Sequence, residues 1–527
     1  MRKNSRNLSL DPFSTDDGAR CSRRDFLRMI PVVAAGAVAG ATSASTALAQ
    51  MMPGGGSRPS TIDPPPGAAL QDPIVLDLDR STPGIAEGFL TIAATTTAIA
   101  GRQAQLLTYN GVFPGPTISV TKGETLRLHV TNDLPTDGVN LLGFPRGTTN
   151  LHTHGWHVSP QDPMDNSHRH VEPGATWTYE FDLRRLKLGS LGWYHPHVHG
   201  LVAEQLWSGL AGALVVNDPN RSLAGYETHV LVLKDIAFDD GEPAPYSSSN
   251  FMMGKEGNTV MVNGAVNPVL SMRPGQVQRW RIVNASTARF YKLSLVGHSL
   301  QVVGVDGGLL DKPYAQSTVL MAPGERVDLL VKASANAGVY KLLSLPYTRI
   351  GMMMGGGGLN AQQVTLLTLD VSGAPADDVL PDFVRLRARR LTPDLSTLPQ
   401  RTFTLGMTMA RGTINGYDFD AQPYTITSQL PERGPAFEVW TIRNPTGMDH
   451  PWHQHVNGAQ ILSIQGGDSA YRAFHATVPG WKDTVIVPRS GSVTQLVRLQ
   501  NWRGMTMFHC HIVEHEDIGM MGEWMIE

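Results

Sequence analysis

An all-β chain built from three consecutive β-sandwich domains is what the sequence predicts, and two observations predict it. Fifty-four glycines, 36 prolines and only 17% charged residues in 527 favour a turn-rich β protein over a helical one. One pattern also occurs three times: an Asn-Gly turn leads through a Gly-containing turn into an alternating strand. Its starts, Asn110, Asn263 and Asn415, lie 153 and 152 residues apart. A repeat of about 150 residues suits a sandwich with its own core.

At the N-terminus, Ser22-Arg23-Arg24-Asp25-Phe26-Leu27-Arg28, an apolar run over 29–41 and Ala47-Leu48-Ala49 resemble a twin-arginine export signal with its cleavage site. Residues 1–49 are therefore expected to be handled by the twin-arginine machinery, which exports folded proteins to the periplasm or beyond. The apolar run is short for a bilayer span, so no membrane association is expected after cleavage. Residues 50–72, rich in Gly and Pro, are expected to form a disordered leader.

The first domain is expected over 73–222, where Asn110-Gly111 leads through Gly123-Glu124 to Leu126-Arg127-Leu128-His129-Val130-Thr131-Asn132. The second, over 223–378, runs from Asn263-Gly264 through Pro274-Gly275 to Arg279-Trp280-Arg281-Ile282-Val283-Asn284. The third, over 379–527, runs from Asn415-Gly416 through Gly434-Pro435 to Val439-Trp440-Thr441-Ile442-Arg443-Asn444. Both boundaries fall in turn-rich stretches, Asn217-Asp218-Pro219-Asn220 and Gly373-Ala374-Pro375. The one short helical candidate is 183–188.

Forty-three basic residues against 46 acidic ones provide no overall field for nucleic acid or an anionic membrane. Of the two cysteines, Cys21 and Cys510, only Cys510 survives signal cleavage, so no intramolecular disulfide is possible. A lone thiol in an oxidising compartment is a liability unless a metal holds it.

The residues around Cys510 are those that hold copper. Phe508-His509-Cys510-His511 is followed by His515 and Met520, which supplies thiolate, imidazole and thioether within thirteen residues. In an extended segment His509 and His511 point to one face and Cys510 to the other, so one strand can serve two metal centres. His152-Thr153-His154, His195-Pro196-His197 and His453-Gln454-His455 add three further H-x-H pairs. Eight imidazoles in four pairs are too many for one ion and enough for about three. Cys510, His515 and Met520 need a second histidine, and His450 is available if Pro451 interrupts the strand ladder and turns His450 away from His453.

With these motifs in place, the chain resembles a three-domain bacterial multicopper oxidase of the laccase and copper-efflux-oxidase type. The resemblance implies three cupredoxin-like Greek-key sandwiches and four copper ions. Cys510, His450, His515 and axial Met520 would hold the type 1 ion, and His152 and His453 the type 2 ion. His154, His195 and His511 would hold one ion of the type 3 pair; His197, His455 and His509 would hold the other. It also implies dioxygen as acceptor and either a phenolic or aromatic donor or a metal ion such as Cu(I) as reductant. A third reading is an exported copper-binding or structural protein without turnover. Glu516 matches a carboxylate that the family uses as a proton relay, and Asp165 resembles the acidic residue that follows the first motif; each could instead orient a ligand. Met252-Met253 and Met352-Met353-Met354 are either thioether donors to Cu(I) or parts of flexible loops. Asp449 either guides a donor to His450 on the solvent side or serves a turn.

Overall fold

The computed structural model describes residues 61–217, 223–351, 361–385, 388–408 and 410–527. Its three Asn-Gly pairs make the same turn. Asn110, Asn263 and Asn415 have φ of 54°, 52° and 53°, and each following glycine is also left-handed, the backbone that a two-residue hairpin requires. Each asparagine clamps a neighbouring strand in the same way. Its Oδ1 accepts from the backbone N–H of Thr91, Val232 or Thr404, and its Nδ2 donates to the carbonyl two residues earlier, of Phe89, Val230 or Thr402. A second asparagine closes each following strand. Asn132, Asn284 and Asn444 are buried, donate from Nδ2 to two carbonyls and accept at Oδ1 from the N–H two residues on.

The fold is all-β, three cupredoxin-like sandwiches in a row. In the first, the sheet Arg102–Tyr109, Ile85–Ile99, Thr125–Asp133, Thr176–Asp182 packs on the sheet Gly115–Val120, Gly212–Val216, Leu191–His195, His152–His154. Alternating residues such as Leu126, Leu128 and Val130 meet Tyr179, Phe181 and Leu214 in its core. The second sandwich is centred on Val277–Asn284 and Arg326–Lys332 in one sheet and Gln363–Val371 and Gly338–Leu345 in the other. In the third, Gly504–Cys510 lies between Met521–Ile526 and His450–Gln454, and an aromatic group of Phe403, Trp440, Trp452, Phe508 and Trp524 fills the core beside Cys510.

Two expectations change. The leader is not without order up to residue 72: Thr61 and Ile62 pair with Gln363 and Val364, Asp63 accepts from Thr365 Oγ1, and Asp72 accepts from Val230 N–H and His229 Nδ1. The open edge of the second sandwich supplies backbone partners, which outweighs the poor local propensity of this segment. The expected helix at 183–188 shrinks to the 3-10 turn Leu183–Arg185, capped by Asp182. Short helices also form at Val202–Trp207, Ser248–Met253 and Val513–Asp517, where no period was visible. No helix among the described residues is long and apolar enough to cross a membrane. The export signal and Met352, Met353 and Met354 lie outside the described residues.

The closing asparagines make a direct prediction. Asn284→Ala leaves the carbonyls of Arg289 and Met321 without this donor in a buried site, at a cost of about 1–3 kcal/mol. The expected result is a lowered thermal midpoint, read by near-ultraviolet circular dichroism.

Candidate metal centre

Ligand placement begins with strand register. His450–Gln454 is a continuous strand paired to Thr484–Val487, so Pro451 does not interrupt the ladder as expected. Parity separates the residues instead: His450 and His453 are three apart and therefore face opposite sides. Trp452 pairs with Cys510 and His453 with His509, which puts His450 on the Cys510 face and His453 on the His509 face. The helix Val513–Asp517 then turns the chain back and brings His515 to Cys510.

Four groups of ligand atoms converge, each within 4.8 Å: His450, Cys510 and His515; His152, His154 and His453; His154, His195 and His511; His197, His455 and His509. In the first, Cys510 Sγ is 3.4 Å from His450 Nδ1 and 3.6 Å from His515 Nδ1, and the two nitrogens are 3.2 Å apart. Met520 is buried in the same core cluster, its carbonyl accepting from Cys510 N–H. Gly412 makes room for it, since a Cβ there would lie 2.6 Å from Met520 Cβ. In the last group, His509 Nε2 lies 3.3 Å from His197 Nε2 and 3.2 Å from His455 Nε2. None of these twelve residues is more than 2% exposed.

The outer nitrogens identify the inner ones. An imidazole N–H beside a carbonyl or carboxylate can only donate, which leaves the other ring nitrogen as a lone pair. His152 Nδ1 donates to Asp165, His195 Nδ1 to Pro196 O, His453 Nδ1 to Asp483 O and His509 Nδ1 to Cys510 O, so all four present Nε2 inward. His515 Nε2 donates to Met252 O, and His450 Nε2 contacts Thr446 Oγ1, so this pair presents Nδ1. His152, His195 and His453 Nε2 have no hydrogen-bond partner among the protein's own groups, which suits lone pairs directed at a bound cation. Burial brings His450, His197 and His511 down to about 3, and the Glu516 carboxylate only partly opposes this at His197 and His511. Burial pushes the Cys510 thiol well up, so a cation is needed to make it a thiolate.

Glu516 is fully buried against one group, with Oε2 3.0 Å from His509 Nδ1 and Oε1 3.5 Å from His197 Nε2. Burial alone would raise its pKa, but the imidazoles of His509 and His197 hold it down to about 2. Asp165 accepts from His152 Nδ1, Thr153 N–H and Thr153 Oγ1. Asp449 faces no solvent: it accepts from Tyr347 Oη and Arg489 N–H, and His450, expected on the solvent side, is completely buried.

The middle domain contributes none of the histidines or the cysteine of the four groups, yet it braces them. Arg326 reaches Asp483 with both terminal nitrogens, at 2.7 and 2.6 Å, and also binds Leu191 O and Asp306 O. Asp483 in turn lies 3.3 Å from His154 Nε2. Gly324, with φ +83°, lets the same loop pass against His511, where a Cβ would come within 2.9 Å of the ring. The Pro323-Gly324-Glu325-Arg326 turn was visible as another Pro-Gly turn, but nothing in it announced a ligand brace.

Three sandwiches enclosing a thiolate-imidazole group and three histidine groups define an oxidoreductase that works through bound metal. Sequence models described as multicopper oxidase match residues 91–221, 193–365 and 390–527, and the chain belongs to that family. It is a copper-dependent enzyme with dioxygen as electron acceptor, and the histidine groups fit copper. A multicopper oxidase of Staphylococcus haemolyticus is 28% identical over 428 residues, covering 79% of this chain and 83% of its own. The Bacillus subtilis laccase is 27% identical over 470 residues, covering 78% and 88%. The structure of a multicopper oxidase from Campylobacter jejuni, a metallo-oxidase, superposes with a TM-score of 0.75 at 26% identity, over 89% of this chain and 98% of that one.

Arg326→Gln removes the charge partner of Asp483, a carboxylate only 11% exposed, which costs up to about 3–5 kcal/mol. Because the Asp483 carbonyl also holds His453 Nδ1, the expected outcome is loss of the copper held through His152 and His453, seen as a diminished type 2 electron paramagnetic resonance signal, while the blue absorption of the Cys510 group persists.

Proposed function

We propose that the protein is a laccase-like oxidase that takes single electrons from phenolic or other aromatic donors at the Cys510 group and passes them to dioxygen at the eight-histidine groups. One observation carries this reading. Cys510 belongs to one ligand group while its neighbours in sequence, His509 and His511, belong to the two others. On this reading Cys510, His450, His515 and Met520 hold the type 1 ion, and His152 and His453 hold the type 2 ion. His154, His195 and His511 hold one type 3 ion, and His197, His455 and His509 hold its partner. Copper bound there supplies one-electron carriers on both sides and the surface for oxygen reduction. The backbone from Cys510 to either histidine is then the shortest covalent path between donor and acceptor sides.

The remaining residues position ligands and handle protons. Glu516 is the relay we assign, since it is fully buried and its two oxygens touch His509 Nδ1 and approach His197 Nε2. Asp165 acts as a positioning residue, because His152 and Thr153 take up its oxygens. Thr446 and the Met252 carbonyl hold the two type 1 imidazoles with Nδ1 inward.

A metal ion as donor is the second reading, favoured by the helix Ser248–Met253, which carries two methionines and sets the Met252 carbonyl against His515 Nε2. The names of the relatives divide along the same line. A donor panel on the copper-loaded protein separates the two. Phenol oxidation without added Cu(II) is expected; phenol turnover only with added Cu(II), beside rapid Cu(I) oxidation, would give the metal reading. No oxygen uptake with any donor would leave a copper-binding protein without turnover.

We also propose export by the twin-arginine route to the periplasm or beyond, supported by the arginine pair at 23 and 24 and the apolar run behind it. Arg23→Lys with Arg24→Lys is expected to keep the precursor in the cytoplasm, as followed by fractionation and immunoblot. For the electron path, Cys510→Ser is expected to abolish the blue band and oxygen consumption while the histidine-bound copper remains; retained turnover would refute the path.

A further inference from the structure

The chain as a whole carries a net charge of −3, yet the charged residues that line one cavity are all cations. A vestibule of about 770 Å³ is lined by Arg185, Lys187, Arg385, Arg389, Arg390 and Arg498, and among the described residues no carboxylate lines it. Three of its walls come from different places in the chain: the turn after Asp182, the link between the second and third sandwiches, and the strand Gly491–Leu499.

These cations are not neutralised locally. Arg390 donates only to carbonyls, those of Ile461, His475 and Val478. Among the described residues none of the other five pairs with a carboxylate, and Arg498 Nε is buried without a hydrogen-bond partner. Lys187 and Arg498 both rest on Trp481, at 5.4 and 5.7 Å from its ring centroid, so the indole spaces two like charges. Burial brings Lys187 down to about 8; Asp483 opposes this, and Arg498, Arg385 and Arg326 reinforce it. Asp483 itself is occupied by Arg326. Clustered like charges in a concavity focus the potential and draw in counter-ions.

The position of the vestibule matters as much as its sign. Lys187, Gly307, Trp481, Arg498 and Gln500 also line a smaller cavity of about 40 Å³, whose inner wall includes His152, His453 and His455. Anything held by Lys187 and Arg498 stands between solvent and those imidazoles.

We propose that the vestibule is a binding site for a small multiply charged oxyanion of the phosphate or sulfate class, and that the bound anion obstructs small-anion access to the histidine-held copper. This holds whichever donor the enzyme oxidises. The site distinguishes such an anion from chloride by charge number, because several guanidinium groups converge on one space and a planar guanidinium binds two oxygens of the same anion.

The test uses the copper-loaded full-length protein. Inorganic phosphate and sulfate are titrated calorimetrically against sodium chloride of matched ionic strength, and azide association is followed by its absorption on binding copper, with and without saturating phosphate. Saturable binding of both oxyanions, and azide entry slowed several-fold by either, are expected. The double variant Arg385→Glu with Arg389→Glu, checked for unchanged blue absorption and copper content, is expected to weaken phosphate by about 10-fold or more. The milder Arg385→Gln gives an intermediate loss and serves if the reversal does not fold. Binding no stronger than chloride, or unaltered in both variants, overturns the site. Tight phosphate binding with unchanged azide entry overturns the obstruction.

Discussion

The buried guanidinium of Arg326 is the point through which the three sandwiches are held in one geometry. It is completely inaccessible to solvent, and it binds the Leu191 carbonyl of the first sandwich, Asp306 of its own and Asp483 of the third. A charge so placed is stabilising only while every partner is present, which makes the arrangement intolerant of small displacements. That intolerance suits a centre in which His154 and His453, from different sandwiches, stack with ring centroids 3.8 Å apart at an angle of 12°. Lys482 extends the network to Glu325 and Asp306, so the seam between the second and third sandwiches is ionic just beneath the histidines.

A second brace runs through the helix after Cys510. Its carboxylates are all buried and go to three destinations. Glu514 accepts from Lys255 N–H and Tyr246 Oη of the second sandwich, and Asp517 accepts from the backbone N–H groups of Gly200, Val202 and Ala203 in the first. Glu516, between them, faces His509 and His197. The turn that returns His515 to Cys510 is thereby pinned from both neighbouring sandwiches, and the intervening carboxylate is left for the metal groups. One five-residue helix does the work of an interface and of a site.

Much of this was legible in the sequence because it rests on local rules. The Asn-Gly repeats announced three domains, since left-handed turn residues and alternating strands are short-range properties, and the structure extends the likeness to the side-chain clamps of Asn110, Asn263 and Asn415. Less was legible where long-range pairing overrode local propensity. The leader gained order from the otherwise unpaired start of the strand Gln363–Val371, and Pro451 sits inside a strand although its lack of an N–H suggested a break. The outward separation of His450 from His453 came from strand parity instead.

What the sequence by itself determined was the chemistry and its grain: a thiol flanked by histidines, and three further H-x-H pairs. What only the tertiary structure decided was which ring nitrogen each histidine turns inward, and which residues brace them. Those choices are made by partners far away in the chain, such as Met252 for His515 and Asp483 for His154, across contacts that no local pattern encodes. They are decided where separately folded sandwiches meet, because only there do buried nitrogens compete for the same carbonyls, carboxylates and space.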